Sequence, residues 1–351
     1  MASSTFLLYG ANGYTGRLIT DLAVAYGLRP VLAGRNEKSI RQMADKYSLD
    51  HRIFDLSENS KLIDALNEVP LVLNAAGPFR YTAEQVTEAC LHTKTHYIDI
   101  TGEIEVFEMI KLKGPAAKQA GILLLPGAGF DVVPTDCMAL WLKQQLPMAT
   151  KLQLAFASAG SGVSHGTAHT MIEGLGMGGA VRKNGKIISK PLGHKGMWVD
   201  FGPKKLFVMS IPWGDVSTAY DTTGIPDIVA FTSVPINIYR SLKFQSLFNW
   251  ILKTKLIKDL ARNKINSGPA GPSAEKRKSS VSYIWGKAED ANGNIVTGRM
   301  VTPDGYTLTA HSSLIITKKI LNNNLGIGYH TPAGLYGADL VLEVPGTQRI
   351  D

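Results

Sequence analysis

Seven residues near the start of the chain, Gly10, Ala11, Asn12, Gly13, Tyr14, Thr15 and Gly16, restrict the fold more than any other feature. They follow the apolar run Thr5–Tyr9 and lead into Tyr14–Tyr26, where Leu18, Leu22 and Ala25 recur at helical spacing. Passing from a strand through three glycines into a helix makes specific demands. Gly10 suits a tight turn, Gly13 lets the backbone approach a pyrophosphate, and Gly16 lets the helix lie against the strand. Free N–H groups at the helix start then receive phosphate oxygens. The glycine spacing is common, but its place between strand and helix reads as a dinucleotide-binding turn.

The next hundred residues repeat the alternation. Apolar runs at Pro30–Ala33, His51–Phe54, Leu71–Asn74, His96–Ile100 and Gly121–Leu125 are separated by helical patterns such as Asn36–Tyr47, Ser57–Val69 and Thr82–His92. This predicts an α/β fold with a doubly wound parallel sheet of the Rossmann kind. The end of the second run selects the nucleotide. NAD(H) sites usually carry Asp or Glu there for the ribose 2′-OH, whereas Ala33 and Gly34 lead into Arg35 and Asn36, with Lys38 and Ser39 behind. Arg35 can stack on adenine and pair with a 2′-phosphate, so NADP(H) is expected over NAD(H). Asp55 reads either as an adenine contact or as a helix N-cap. Asn74, Ala75 and Gly77 read as a small-residue turn under the nicotinamide ribose.

Reacting groups are expected at the carboxyl ends of the later strands, where open α/β sheets bind ligands. Asp99 and Glu103 follow the fifth strand, and Asp131 lies in the bend Pro126–Asp136 that feeds a helix over Cys137–Leu146. From Lys151 to Asn324, short runs at Lys151–Ala157, Phe207–Ser210, Asp227–Ser233, Val281–Ala288 and Tyr306–Ala310 predict an α+β substrate domain with one antiparallel sheet facing the cofactor. There His165, His169 and Glu173 fall at i, i+4 and i+8 on one helical face, with Ser164 or Thr167 as cap. The H-E-x-x-H pattern is missing and no metal is expected, which leaves substrate-facing donors or plain structure. The reacting set is Asp99, Glu103, Asp131 and His165, with Tyr97, Thr135 and His169 as alternative proton donors. The Tyr-x-x-x-Lys pairs Tyr239/Lys243 and Tyr283/Lys287 come too late in the chain for the reductase chemistry associated with that motif.

At 351 residues, 44% hydrophobic and 19% charged, the chain suits a globular protein of two domains. Two cysteines form no disulfide framework, the N-terminus shows no secretory pattern, and no apolar stretch reaches about 18 residues. A cytoplasmic protein is expected. Between Arg240 and Lys278 ten Lys and Arg face Asp259 and Glu275, which accounts for the whole net charge of +8. Aromatic residues do not alternate with these cations, so nucleic acid is not the expected partner. Residues 241–264 show an amphipathic helical pattern with a basic face, suited to peripheral membrane contact, to packing on the substrate domain or to a homodimer. Asn266–Ser273 reads as a loop over the cleft.

Eight segments, taken in order, carry a family resemblance. They are Gly10–Gly16, Ala33–Arg35, Asn74–Pro78, Tyr97–Glu103, Pro126–Asp136, Ser164–Thr167, Gly271–Arg277 and Thr331–Gly337. Together they resemble the saccharopine dehydrogenase-like oxidoreductases, a family that includes trans-acting enoyl reductases. The resemblance implies a Rossmann domain over 1–147, an inserted α+β substrate and dimerisation domain over 148–330, and completion by 331–351 through a helix around Pro332–Leu342. It implies hydride transfer to a C=N, C=C or C=O bond of a small molecule. Ser158–Gly185 lacks the arginine cluster that a dicarboxylic amino-acid conjugate requires. An acyl or lipid-like substrate better suits Phe79, Phe130, Met171, Leu175 and Met177. The alternative is a non-catalytic NADP(H)-binding or membrane-associated scaffold.

Overall fold

The computed structural model describes residues 4–159, 162–174, 176–242, 249–252 and 254–350. The chain divides into two compact units, one formed by Met1–Val133 with Tyr306–Leu335 and the other by Pro134–Gly305 with Tyr336–Asp351.

The first unit is built on a parallel sheet of β1 (Thr5–Tyr9), β2 (Arg29–Gly34), β3 (His51–Ile53), β4 (Leu71–Asn74), β5 (His96–Asp99), β6 (Leu123–Leu125) and the late strand Gly328–Tyr329. Across the sheet the order is β3, β2, β1, β4, β5, β6 and Gly328–Tyr329. Every pairing in it is parallel. The direction of growth reverses between β1 and β4, the switch point at which such sheets bind ligands. Helices on both faces bury the central strands, which explains why Phe6, Leu7, Leu8, Leu71, Val72 and Leu73 read as continuous apolar runs.

The first helix, Tyr14–Ala23, buries Gly16, Ile19, Thr20 and Ala23, not the Leu18, Leu22 and Ala25 face that periodicity suggested. Gly16 fixes this rotation. A Cβ there would collide with the carbonyl oxygens of Gly10 and Ala11, so this position must face the strand.

Tyr306–Ala310, expected as a strand, begins the helix Gly305–Leu321. Leu308, Ala310, Leu314, Ile315, Ile316 and Ile320 are all buried, so the helix is apolar around most of its circumference and its 3.6-residue period is hidden. This helix supports the bend after β6. Thr309 Oγ1 accepts a hydrogen bond from the Phe130 N–H at 2.9 Å, and Ser312 Oγ donates to the Ala128 carbonyl at 2.7 Å.

The second unit holds β7 (Ala149–Ala159), β8 (Gly179–Lys183), β9 (Lys186–Lys190), β10 (Gly196–Asp200), β11 (Lys205–Ile211), β12 (Asp227–Ser233), β13 (Val281–Asp290), β14 (Ile295–Pro303) and the short strand Gln348–Ile350. The main path runs β10, β11, β12, β7, β13, β14 and Gln348–Ile350, with the β8–β9 hairpin attached to β12. Because β12 and β7 are parallel, the sheet is mixed and not the purely antiparallel sheet expected. Phe201, Phe231, Tyr283 and Trp285 anchor its core.

The helix Val133–Gln145 belongs with this sheet, since Met138 and Leu142 pack on Gly286 and Trp141 on Gly298. Gln348–Ile350 extends the sheet beside β14. The units therefore divide differently from the 1–147, 148–330 and 331–351 read from sequence and resemblance: 306–330 joins the first unit, while 134–147 and 336–351 join the second. Among the described residues no helix is long and apolar enough to cross a membrane.

Candidate functional site

The glycine turn sits at the switch point. Gly10 has φ +84°, and its N–H donates to the Ala33 carbonyl at 2.9 Å. A Cβ on Gly10 would lie 2.8 Å from the Ala76 nitrogen and 2.9 Å from the Ala75 carbonyl carbon, so the Asn74–Gly77 turn rests directly against it. Gly13, exposed and extended, begins the first helix with no side-chain cap. The first turn of a helix carries N–H groups that its own carbonyls cannot reach, and no cap shields this one from a ligand. Small residues, an uncapped helix and a close strand form the cradle a pyrophosphate requires. Thr15 lies half-buried in that first turn, and the Tyr14 ring meets Tyr306 edge-on with centroids 5.0 Å apart.

A cation that sequence reasoning passed over completes this edge. Arg17 Nε donates to the Asn12 carbonyl at 3.0 Å, and its guanidinium also donates to Ser39 Oγ at 3.1 Å. Ser39 in turn donates its N–H to the Asn36 side chain, which caps the helix Glu37–Tyr47. Arg35 is 81% exposed at the end of β2, 3.9 Å from the Asp55 carboxylate. Arg17 thus meets Ser39 at the start of the helix Glu37–Tyr47, while Arg35 stands exposed at the end of β2. The available signal for Arg17 was its place one residue after the third glycine. Asp55 caps no helix. Its Oδ1 accepts from the Ser57 N–H and hydroxyl, which holds its pKa below the ordinary carboxylate value.

Beneath this edge, two of the expected reacting groups are committed to architecture. Asn74 is fully buried and donates to Thr82 Oγ1 at 3.1 Å and Tyr97 Oη at 3.4 Å, while its oxygen accepts from the Ala76 N–H. Its side chain therefore braces the turn from inside. Asp99 is also fully buried. It accepts from the Tyr97 hydroxyl at 2.7 Å, the Thr101 N–H at 3.0 Å and the Gly127 N–H at 2.9 Å, tying the end of β5 to the end of β6. Burial pushes its pKa up to about 6 against these donors. Glu103 accepts from the Phe79 N–H at 2.7 Å and the Arg80 N–H at 3.1 Å, pinning the short turn Phe79–Tyr81. Phe79 itself is buried in the core of this unit.

Asp131 differs from both. Its carboxyl lies against Gly102 at the end of β5, close enough that a Cβ on Gly102 would sit 2.9 Å from the Asp131 Cβ. Among the described residues none donates a hydrogen bond to it. Burial alone pushes its pKa up to about 7. A half-buried carboxyl with open valences and a near-neutral pKa can exchange a proton with a bound molecule.

The His165, His169 and Glu173 stripe has a different use. Ser164 caps the helix His165–Glu173, accepting from the Thr167 N–H. His165 Nε2 lies 3.1 Å from the Gly268 carbonyl and His169 Nε2 lies 3.0 Å from Asn266 Oδ1. Glu173 pairs with Arg262 and, at 3.6 Å, with Lys258. The stripe is the seam on which the helix Lys255–Asn266 docks, with Nε2 of His165 and of His169 engaged there. Among the described residues no cluster suits a metal ion. Met171 and Met177 are exposed in this unit, Phe130 is half-buried in the first, and Thr135 is buried. Leu175 lies outside the described residues, as do 243–248 and 253 of the amphipathic segment.

Residues 6–125 match the family described as saccharopine dehydrogenase NADP binding domain. A saccharopine dehydrogenase-like oxidoreductase from Rattus norvegicus is 27% identical over 202 residues, covering 50% of this chain and 47% of the relative. A lipid droplet localized protein from Caenorhabditis elegans is 28% identical over 206 residues, covering 53% and 48%. The chain thus spans about half the length of the curated relatives it matches. Apo saccharopine dehydrogenase (L-Glu forming) from Saccharomyces cerevisiae shares the fold, with a TM-score of 0.67 and 14% identity over 99% of this chain and 100% of that one. The resemblance is borne out for residues 6–125, which carry the glycine turn and match an NADP-binding domain, and the fold of the first unit is Rossmann-like.

Proposed function

We propose that the protein is an NADP(H)-dependent oxidoreductase that transfers hydride to a C=N, C=C or C=O bond of an acyl or lipid-like substrate. One observation carries the reading: an NADP-binding glycine cradle and the open carboxyl of Asp131 share the carboxyl edge of one parallel sheet. Bound NADPH supplies the hydride. The chain's own residues do the rest. Gly10, Gly13 and Gly16 would admit the pyrophosphate, Arg17 and Arg35 would hold the 2′-phosphate, and the Asp131 carboxyl would hold the proton that balances hydride addition. Asp99, Glu103 and Asn74 act as positioning residues that keep the strand ends in place.

The substrate class rests on the chemistry of 158–185. Arg182, the single arginine in that segment, is buried and spends its guanidinium on the Val216 and Gly185 carbonyls. Lys183, the neighbouring cation, pairs with Asp227, so among the described residues of this segment no arginine cluster is left for a dicarboxylic conjugate. The C. elegans relative is described as lipid droplet localized, which agrees with an acyl substrate met at a lipid surface. The test is NADPH consumption on a panel of imine, enoyl and keto substrates with acyl chains of increasing length. Turnover that rises with chain length supports the reading. Tight NADPH binding without turnover on any of them favours the scaffold alternative.

A further inference from the structure

The helix Lys255–Asn266 is oriented opposite to the usual amphipathic arrangement. Two of its cations, Lys258 and Arg262, face the protein and close on Glu173, and its leucines face outward. Leu256 is 70% exposed and Leu260 57% exposed, one helical turn apart, and Trp250 on the preceding short helix Asn249–Leu252 is 72% exposed. Exposed apolar groups this large on adjoining segments mark an interaction surface.

Charge selects the occupant. Lys255 and Lys264 are exposed on the flanks of the leucine face, and Lys276 and Lys278 are exposed on the following helix Ala274–Ser279. Asp259, the acidic residue of Lys255–Asn266, is engaged by Arg262 within the same helix. In a symmetric contact with a second copy, this face would set a surface richer in lysines than in carboxylates, Glu275 being its exposed acidic residue, against another of the same sign. An anionic phospholipid surface offers negative headgroups at the level of the lysines and hydrocarbon for the leucines. Tryptophan is a residue favoured at that boundary.

We infer that Trp250, Leu256 and Leu260, with Lys255 and Lys264, form a docking face that seats the protein on an anionic lipid surface. The inference concerns where an acyl substrate is met and to that extent rests on the proposed function, but its test does not require turnover.

Flotation of the full chain with phosphatidylcholine vesicles, with and without phosphatidylserine, tests it. The wild type is expected to float with the anionic vesicles, with binding weakened by salt. The double variant Leu256→Ser, Leu260→Ser should lose roughly tenfold or more in partitioning. The variant Lys255→Gln, Lys264→Gln should lose its preference for phosphatidylserine, and both variants should retain NADPH affinity as proof of folding. Wild type that stays in the aqueous phase, or a leucine variant that floats equally well, overturns the inference. So does a wild-type dimer that the leucine variant converts to monomer, which would identify a second copy as the occupant. Vesicle binding with no reductase turnover would overturn the proposed function alone.

Discussion

Replacing Asp131 with Asn should stabilise the protein above neutral pH while removing turnover. In the folded chain burial raises the Asp131 pKa from 3.8 to about 7. The unfolded chain therefore releases this proton first, and between about pH 4 and pH 7 the native state binds more protons than the unfolded state. Stability then falls as pH rises through that window. Each unit is worth about 1.4 kcal/mol, so a shift of roughly three units sets a ceiling of about 4 kcal/mol. Asp131 is only half-buried, and water reaching the carboxyl reduces this to about 1–2 kcal/mol. Asn keeps the shape beside Gly102 and cannot ionise. Urea unfolding at pH 4 and pH 8 should show a variant-minus-wild-type difference that grows by most of that amount at the higher pH. NADPH affinity should be unchanged and NADPH consumption lost, as expected where a functional group is held at a cost in stability. A difference independent of pH would refute the burial argument, and retained turnover would refute the role of Asp131.

Arg35→Asp should weaken NADPH far more than NADH in calorimetric titration, and Arg17→Ala should cost NADPH roughly tenfold with little change for NADH. Equal loss of both cofactors would remove these residues from the 2′-phosphate. Gly16→Ala should abolish binding of either cofactor and destabilise the first unit by about 1–3 kcal/mol, because its Cβ meets backbone that cannot yield. Glu173→Gln leaves Lys258 without its counter-charge and Arg262 with Asp259 alone. It should lower the protection of 255–266 in hydrogen exchange by about 1–2 kcal/mol, with cofactor affinity unaffected.

The parts legible in the sequence were those governed by local physics. A parallel sheet buried on both faces writes its strands as apolar runs, and all six expected strands of the first unit were found. Gly10 and Gly16 were legible because no other residue fits. Short, partly exposed strands such as Lys186–Lys190 and Gly196–Asp200 carry no such signal, and the helix Gly305–Leu321 hides its period through burial on most sides. Side-chain commitments were the least legible. Nothing in the spacing of Asp99, Glu103 and Asp131 tells which carboxyl is consumed by backbone donors, because the Gly127, Phe79 and Arg80 N–H groups come from the ends of other strands. Likewise the stripe of His165, His169 and Glu173 showed one helical face correctly, but not that another helix would lie on it.

Transfer of label from NADPH deuterated at its transferable position tests the central claim most directly. The protein is incubated with acylated imine, enoyl and keto substrates, and the products are weighed by mass spectrometry. One deuterium should appear in the product of at least one class, and replacement of Asp131 by Asn should abolish it. NADPH held tightly with no deuterium in any product would contradict the account.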